Sequence, residues 1–369
     1  MSISPLQVIE ALSTILEPQF GKDIVRLGMV RNLKVEENAV SFTIMLKDPG
    51  SPFAGEAADR CKGAIRERFG QDIKVHVDTD SEMISLDDFQ MSEYTRSSVP
   101  PGVRNFVAVA SGKGGVGKST VAVNLAVSLA KLGYDVGLVD TDMYGPSIPT
   151  MFGVRNERPH VNDQRKIEPI ERYGVKLLSM GFLVDPTQAT IWRGPMVSSA
   201  VRQFLQDTNW GELDFLVMDL PPGTGDIQLT IVQTIPLTGA IIVSTPQEVA
   251  LADARKGVAM FGNVNVPVIG IVENMAYFAP PDLPDRKYYL FGRGGARRLA
   301  GELGLSFLGE VPIEEVVREG GDDGKPVVTT DPESLSAKAF REIALETVRQ
   351  VNLRNAQMPP TQKIEILHR

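Results

Sequence analysis

Apolar residues fall at three-residue steps over residues 5–16, where Leu6, Ile9, Leu12 and Ile15 share one face of an amphipathic helix. Two further apolar runs, 27–35 and 39–46, flank the polar Glu36-Glu37-Asn38 and predict a β-hairpin. A helical stretch over 55–69 and a strand over 73–78 complete an α-β-β-α-β unit. Periodicity lapses over 91–102 into a polar run ending Pro100-Pro101-Gly102, which reads as a linker. Beyond it, short apolar runs at 105–110, 136–140, 215–219, 240–244, 266–272 and 307–310 alternate with longer helical stretches. That alternation predicts a mostly parallel sheet with crossover helices, and the nearly continuous apolar character of several runs predicts helices on both faces. The expected fold class is α/β, a mostly parallel sheet flanked by helices, preceded by a small α+β domain. The expected division is 1–91 for the small domain, 92–102 for the linker, 103–355 for the larger domain and 356–369 for a C-terminal tail.

A chain of 369 residues exceeds what one hydrophobic core usually serves, in keeping with two domains. Its formal net charge of -8 argues against broad adhesion to nucleic acid or anionic lipid. Cys61 is the single cysteine, which excludes an intramolecular disulfide. The start Met1-Ser2-Ile3-Ser4-Pro5 lacks the basic-then-apolar pattern of a secretory signal, and no run approaches the roughly 20 apolar residues of a membrane span. These features predict a soluble, cytoplasmic protein with neither nucleic acid nor membrane as partner.

The chemistry concentrates after the run 105–110, which leads directly into Ser111-Gly112-Lys113-Gly114-Gly115-Val116-Gly117-Lys118-Ser119-Thr120 and then a helical stretch. Gly112, four residues, then Gly117-Lys118-Ser119 is a P-loop pattern: glycines let consecutive backbone N–H groups turn inward around phosphate oxygens, and the helix start adds its own donors. Lys118 is expected on the β and γ phosphates and the Ser119 hydroxyl on magnesium. The run 136–140 ends in Asp140-Thr141-Asp142, two acids at the sheet edge where α/β ligands bind. Asp142 is the candidate for orienting or deprotonating the attacking water, and Asp140 for supporting magnesium or the switch backbone; either could instead cap the following turn. The run 215–219 ends in Asp219 and continues Leu220-Pro221-Pro222-Gly223-Thr224-Gly225-Asp226, so Asp219 is expected to hold magnesium while Gly223 and Gly225 let the loop move.

Lys113, a second lysine inside the loop, makes the motif resemble the deviant Walker A of the ParA, MinD, nitrogenase iron protein and Get-type group. The resemblance implies a homodimer in which Lys113 crosses to the partner's nucleotide in the manner of an arginine finger. It also implies that Asn274, in Glu273-Asn274-Met275, reads adenine, and ATP is favoured because the N-K-x-D signature of GTPases is absent. The nucleotide-contacting set is then Gly112 through Thr120 with Asn274 and Pro312. Residues 140–149, Asp219 to Asp226, Val272 to Met275 and Phe291-Gly292-Arg293-Gly294-Gly295 together are similar to the Mrp/ApbC family of iron-sulfur cluster carrier ATPases. Residues 23–30 resemble the MIP18-type domain often fused to it. This resemblance implies cofactors ATP and Mg2+, an iron-sulfur cluster as cargo, and apo client proteins and scaffold proteins as partners.

Here the sequence departs from the family. Its usual C-x-x-C would fall in Ala276-Tyr277-Phe278-Ala279-Pro280-Pro281-Asp282-Leu283, which has no cysteine, and the loop 47–53 lacks the thiol often found in the N-terminal domain. Clusters want thiolates, usually four, so a conventional cluster bridging two subunits cannot form and the iron-sulfur ligands are unassigned. Cys61 falls on the apolar face of the helix 55–69 and is expected to be an inert core residue, and His76, His160 and His368 have no ligand spacing. The cysteine-free form resembles a subgroup that keeps Tyr-Tyr-x-Phe-Gly, here Tyr288 to Gly292. Three readings follow: a nucleotide-switched cluster carrier, a ParA/MinD-like positioning ATPase, and a nucleotide-gated scaffold that holds no cluster itself.

Overall fold

The computed structural model describes residues 3–48, 50–81, 100, 102–143, 145–182, 194–280, 282–283 and 285–359. The expected linker and the end of the tail therefore lie mostly outside the described residues. The chain divides into two compact units, Met1–Tyr94 with Val348–Pro360, and Thr95–Thr347 with Thr361–Arg369. Among the described residues no helix is long and apolar enough to cross a membrane.

In the first unit, helix α1 (Pro5–Leu12) opens with a capping box between Ser4 and Gln7, with Pro5 in its first turn. It stops at Leu12 rather than continuing to 16, because Ser13 caps it and Ile15 is buried from the following turn instead. Strand β1 (Val30–Glu36) begins three residues later than its apolar run, since Gly28 turns the chain with φ +67. It pairs antiparallel with β2 (Ala39–Leu46); helix α2 (Pro52–Phe69) then returns the chain to β3 (Lys74–Ser81), which pairs parallel with β2. Cys61 is fully buried on α2 between Ala57 and Ile65. The sequence reading carries the larger domain to 355, whereas Val348–Pro360 group with this first unit: Ala356 is buried in its core and half-buried Leu353 packs against it.

The second unit is built on an eight-stranded sheet. Along the chain come β4 (Val103–Ala110), helix α3 (Lys118–Lys131), β5 (Val136–Asp140), β6 (Ile170–Arg172) and β7 (Val175–Ser179). Helix α4 (Gly194–Asp207), β8 (Leu213–Asp219), α5 (Asp226–Thr234), β9 (Gly239–Ser244) and α6 (Glu248–Asn263) follow. β10 (Val268–Glu273), α7 (Gly295–Leu303), β11 (Phe307–Glu310) and the part of α8 (Leu335–Gln357) that precedes Val348 complete the principal elements. The sheet order is β6-β7-β5-β8-β4-β9-β10-β11, parallel throughout except for β6. Phe106, Ala108 and Ala110 of β4 face a core shared with α4 to α7, and Val107 and Val109 are buried on the opposite face, where α3 lies against β4. Burial of both faces is what makes these strands read as continuous apolar runs.

The β6–β7 hairpin was not among the expected strands. Its turn is Tyr173-Gly174, both residues left-handed (φ 54 and 75), a geometry more commonly signalled by Asn-Gly or Asp-Gly. The consequence reaches the site, because β7 pairs with β5 in a register that sets Ser179 beside Asp140.

Candidate nucleotide site

The P-loop spans the turn from β4 into α3. Gly115 and Gly117 have φ of +83 and +79, a left-handed backbone that favours glycine. Space forbids a side chain as well: a Cβ on Gly117 would lie 2.1 Å from Asn274 Nδ2, and one on Gly112 would lie 2.2 Å from the Asp253 carbonyl. The loop is stitched by hydrogen bonds. Ser111 Oγ donates to the Lys113 carbonyl at 2.8 Å, and Asn274 Nδ2 donates to the Val116 carbonyl at 2.9 Å. Gly223 N donates to the Ser111 carbonyl at 3.0 Å, tying the loop after β8 to the P-loop.

Lys118 is buried, and its Nζ donates to Asp219 Oδ1 at 2.5 Å and to Ser119 Oγ at 3.2 Å. A buried ammonium needs a partner, and Asp219 supplies it here. Lys113 is half-buried and makes no ion pair with a described residue. Gly114 and Gly115 are exposed, Val116 is buried, and Thr120 is half-buried on the first turn of α3 with its carbonyl accepting from Asn124 Nδ2 at 2.9 Å.

The sheet register aligns the carboxylates: Asp140 pairs with Asp219 on one side and with Ser179 on the other. Asp140 is fully buried. Its Oδ1 accepts from Asp142 N at 3.1 Å, and its Oδ2 accepts from Ile148 N at 3.2 Å and from Ser179 Oγ at 3.0 Å. Burial, with the Asp219 charge beside it, pushes its carboxyl up to about 7 against the pull of those backbone donors. Both backbone donors lie on the chain leaving β5. Burial also raises Asp219, opposed by the Lys118 ammonium. Asp142 is half-buried, and its Oδ1 accepts from Gly145 N at 3.2 Å, a turn contact.

Magnesium fits this set. Asp219 Oδ2 is a buried carboxylate oxygen with no hydrogen-bond partner, and Ser119 offers a hydroxyl nearby on the same Lys118 ammonium. Hard oxygen donors of this kind are what magnesium takes.

Asn274 and Pro312, both buried, sit on adjacent loops beyond β10 and β11, which are joined by Val311 N donating to the Glu273 carbonyl at 2.8 Å. Two buried residues here escaped the sequence reading. Ser179 did so because its strand was missed. Glu273 stood in a quoted motif without a role; it is a strand-ending acid whose Oε2 accepts from Ala296 N at 2.6 Å at the start of α7, and burial raises its carboxyl.

Tyr277 and Phe278 of the cysteine-free stretch contact residues 287–289. Phe278 and Tyr288 exchange backbone hydrogen bonds at 2.8 Å, the Tyr277 and Tyr289 rings meet edge-on at 6.2 Å, and Lys287 Nζ stands 3.9 Å from the Tyr277 ring centre. Among the described residues no group of three or more His, Cys, Asp or Glu side chains is placed to hold a metal.

Comparison with known proteins extends this geometry. Residues 102–348 match the ParA-type family described as NUBPL iron-transfer P-loop NTPase. Residues 6–77 match the iron-sulfur cluster assembly protein family. The chain is 47% identical over 349 residues to an iron-sulfur cluster carrier protein of Synechocystis, covering 94% of this chain and 97% of that protein. It is 43% identical over 356 residues to the one of Deinococcus radiodurans, covering 96% and 98%. Among solved structures, a nucleotide-binding protein of Archaeoglobus fulgidus in complex with ADP aligns with a TM-score of 0.55 and 43% identity, over 61% of this chain and 88% of that one.

Proposed function

The chain belongs to the NUBPL-type iron-transfer P-loop NTPase family, and on that premise we propose that it is an ATP-driven iron-sulfur cluster carrier. It delivers clusters to apo client proteins and works as a nucleotide-switched homodimer. The observation that carries the nucleotide reading is the Lys118–Asp219 pair at 2.5 Å beneath a glycine loop, with one Asp219 oxygen left unpartnered. A triphosphate entering the loop meets backbone N–H groups, and Lys118 moves from Asp219 to the β and γ phosphates. That transfer frees Asp219, with Ser119, to hold magnesium, which neutralises phosphate charge when bound. Asn274 and Pro312 receive adenine. Asp142 orients the attacking water, and Asp140 fixes the backbone that carries Asp142. Lys113, which makes no ion pair with a described residue of its own subunit, reaches the partner's nucleotide. Release of the γ phosphate is felt at Gly223, whose amide is bonded to the P-loop through Ser111.

The cargo is handled without a C-x-x-C. The chain contributes one thiol, Cys61, and burial pushes it up to about 12, out of reach as a thiolate ligand. The clusters it moves are accordingly held by thiolates of scaffold and client proteins. The test is anaerobic transfer from a loaded scaffold protein to apo-ferredoxin, followed by circular dichroism with and without ATP. ATP-dependent acceleration by this protein is expected, with less than one iron per dimer in the protein itself. No acceleration sinks the carrier role. No affinity for adenine nucleotides by calorimetry sinks the nucleotide reading with it.

A further inference from the structure

Resting on the nucleotide-hydrolase reading, we propose that Ser179 is a positioning residue of the switch: it holds the Asp140 carboxylate so that its two oxygens fix the backbone at Asp142 and at Ile148.

The parallel register of β7 on β5 brings Ser179 level with Asp140, at the same sheet edge as Asp219. The hydroxyl of Ser179 is fully buried and its direction is set. Gly181 N donates to Oγ at 3.0 Å, so the hydroxyl hydrogen is left to donate to Asp140 Oδ2, also at 3.0 Å. Asp140 in turn spans the chain leaving β5, with Asp142 N on one oxygen and Ile148 N on the other. Removing the hydroxyl takes away a donor that holds the carboxylate's rotamer while the repulsion from Asp219 remains.

The same turn grips the switch a second time. A Cβ on Gly181 would lie 2.9 Å from Pro146 Cβ and 3.0 Å from its Cγ, so a glycine there lets Pro146 seat against the end of β7. Thus one element, absent from the P-loop and from both acidic motifs, contacts the segment carrying Asp142 through a hydrogen bond and through close packing. Asp142 is placed through Asp140, and Asp140 through Ser179.

The test uses the full-length protein and three variants, Ser179→Ala, Ser179→Thr and Gly181→Ala. Hydrogen exchange on the nucleotide-free protein reads the clamp directly: S179A is expected to speed exchange of the Asp142 and Ile148 amides about tenfold, with β4 unchanged. Its kcat for ATP is expected to fall about tenfold, the size of one charge-assisted hydrogen bond, while ADP affinity stays within about twofold. S179T, which keeps the hydroxyl, restores both readouts. G181A lowers kcat with Ser179 intact and serves if S179A does not fold. Unchanged exchange at Asp142 and Ile148 in S179A overturns the proposal, as does an equal loss of kcat and ADP affinity that S179T fails to rescue. Absence of ATPase activity in the unsubstituted protein overturns the hydrolase reading, and this inference falls with it.

Discussion

At the scale of single residues the site is a set of buried charges that satisfy one another until nucleotide arrives. Lys118 and Asp219 lie at the limit of this, both nearly excluded from water and 2.5 Å apart. Lys118→Ala should abolish measurable hydrolysis and also destabilise the nucleotide-free protein by about 3 kcal/mol, because Asp219 is left buried without its cation. Chemical denaturation at pH 8 checks the second part, and the cost should shrink at pH 5, where Asp219 is more readily protonated. Asp140 predicts a pH dependence of its own. Its carboxyl is pushed up to about 7 in the folded protein and is ordinary, near 3.8, in the unfolded chain. Between those values the folded state holds a proton that the unfolded state has lost, so stability falls as pH rises through that window. Asp140→Asn, neutral at every pH, should flatten that part of the profile and raise the apo melting temperature at pH 8 while losing ATPase activity. A mutant whose unfolding midpoint kept the full pH slope would remove Asp140 as its source.

At the scale of elements, the loop works because glycine stands where geometry admits nothing else. Gly117→Ala places a Cβ on Asn274 Nδ2 and forces a left-handed residue, so nucleotide affinity by calorimetry should fall at least about tenfold. If affinity is unchanged, Asn274 is not packed on the loop as described. Elements also mark where sequence reading succeeded and failed. β4, β5 and β8 were legible because burial on both faces leaves an apolar signature and because each ends in the chemistry that β-strands deliver to a sheet edge. β7 is buried except at half-buried Lys176, whose Nζ donates to the Trp210 carbonyl at 2.8 Å; that lysine and the preceding Tyr173-Gly174 turn break up its apolar run. The end of α1 was misplaced for a related reason, since Ile15 keeps the helical spacing while belonging to the next turn.

At the scale of the whole molecule, Lys113 carries the expectation of a dimer. Lys113→Ala should leave ADP affinity within about twofold, remove ATP-dependent dimerisation in light scattering, and slow hydrolysis by about a thousandfold, the value of a charge supplied in trans. An ATP-bound protein that remains monomeric at high concentration yet hydrolyses normally would refute the trans role. The sequence by itself determined the phosphate-binding loop, the two strand-ending acids, the class of fold and the lack of cluster thiols. All of these are local, written as residue types at fixed spacing along one stretch of chain. Only the tertiary structure decided that Asp140 spends its oxygens on backbone amides, that Ser179 stands beside it, and that Tyr277 and Phe278 of the stretch without cysteines meet residues 287–289. Those facts depend on which strands become neighbours and in what register, and pairing between β5 and β7 joins residues about forty positions apart through hydrogen bonds that any residue type can make.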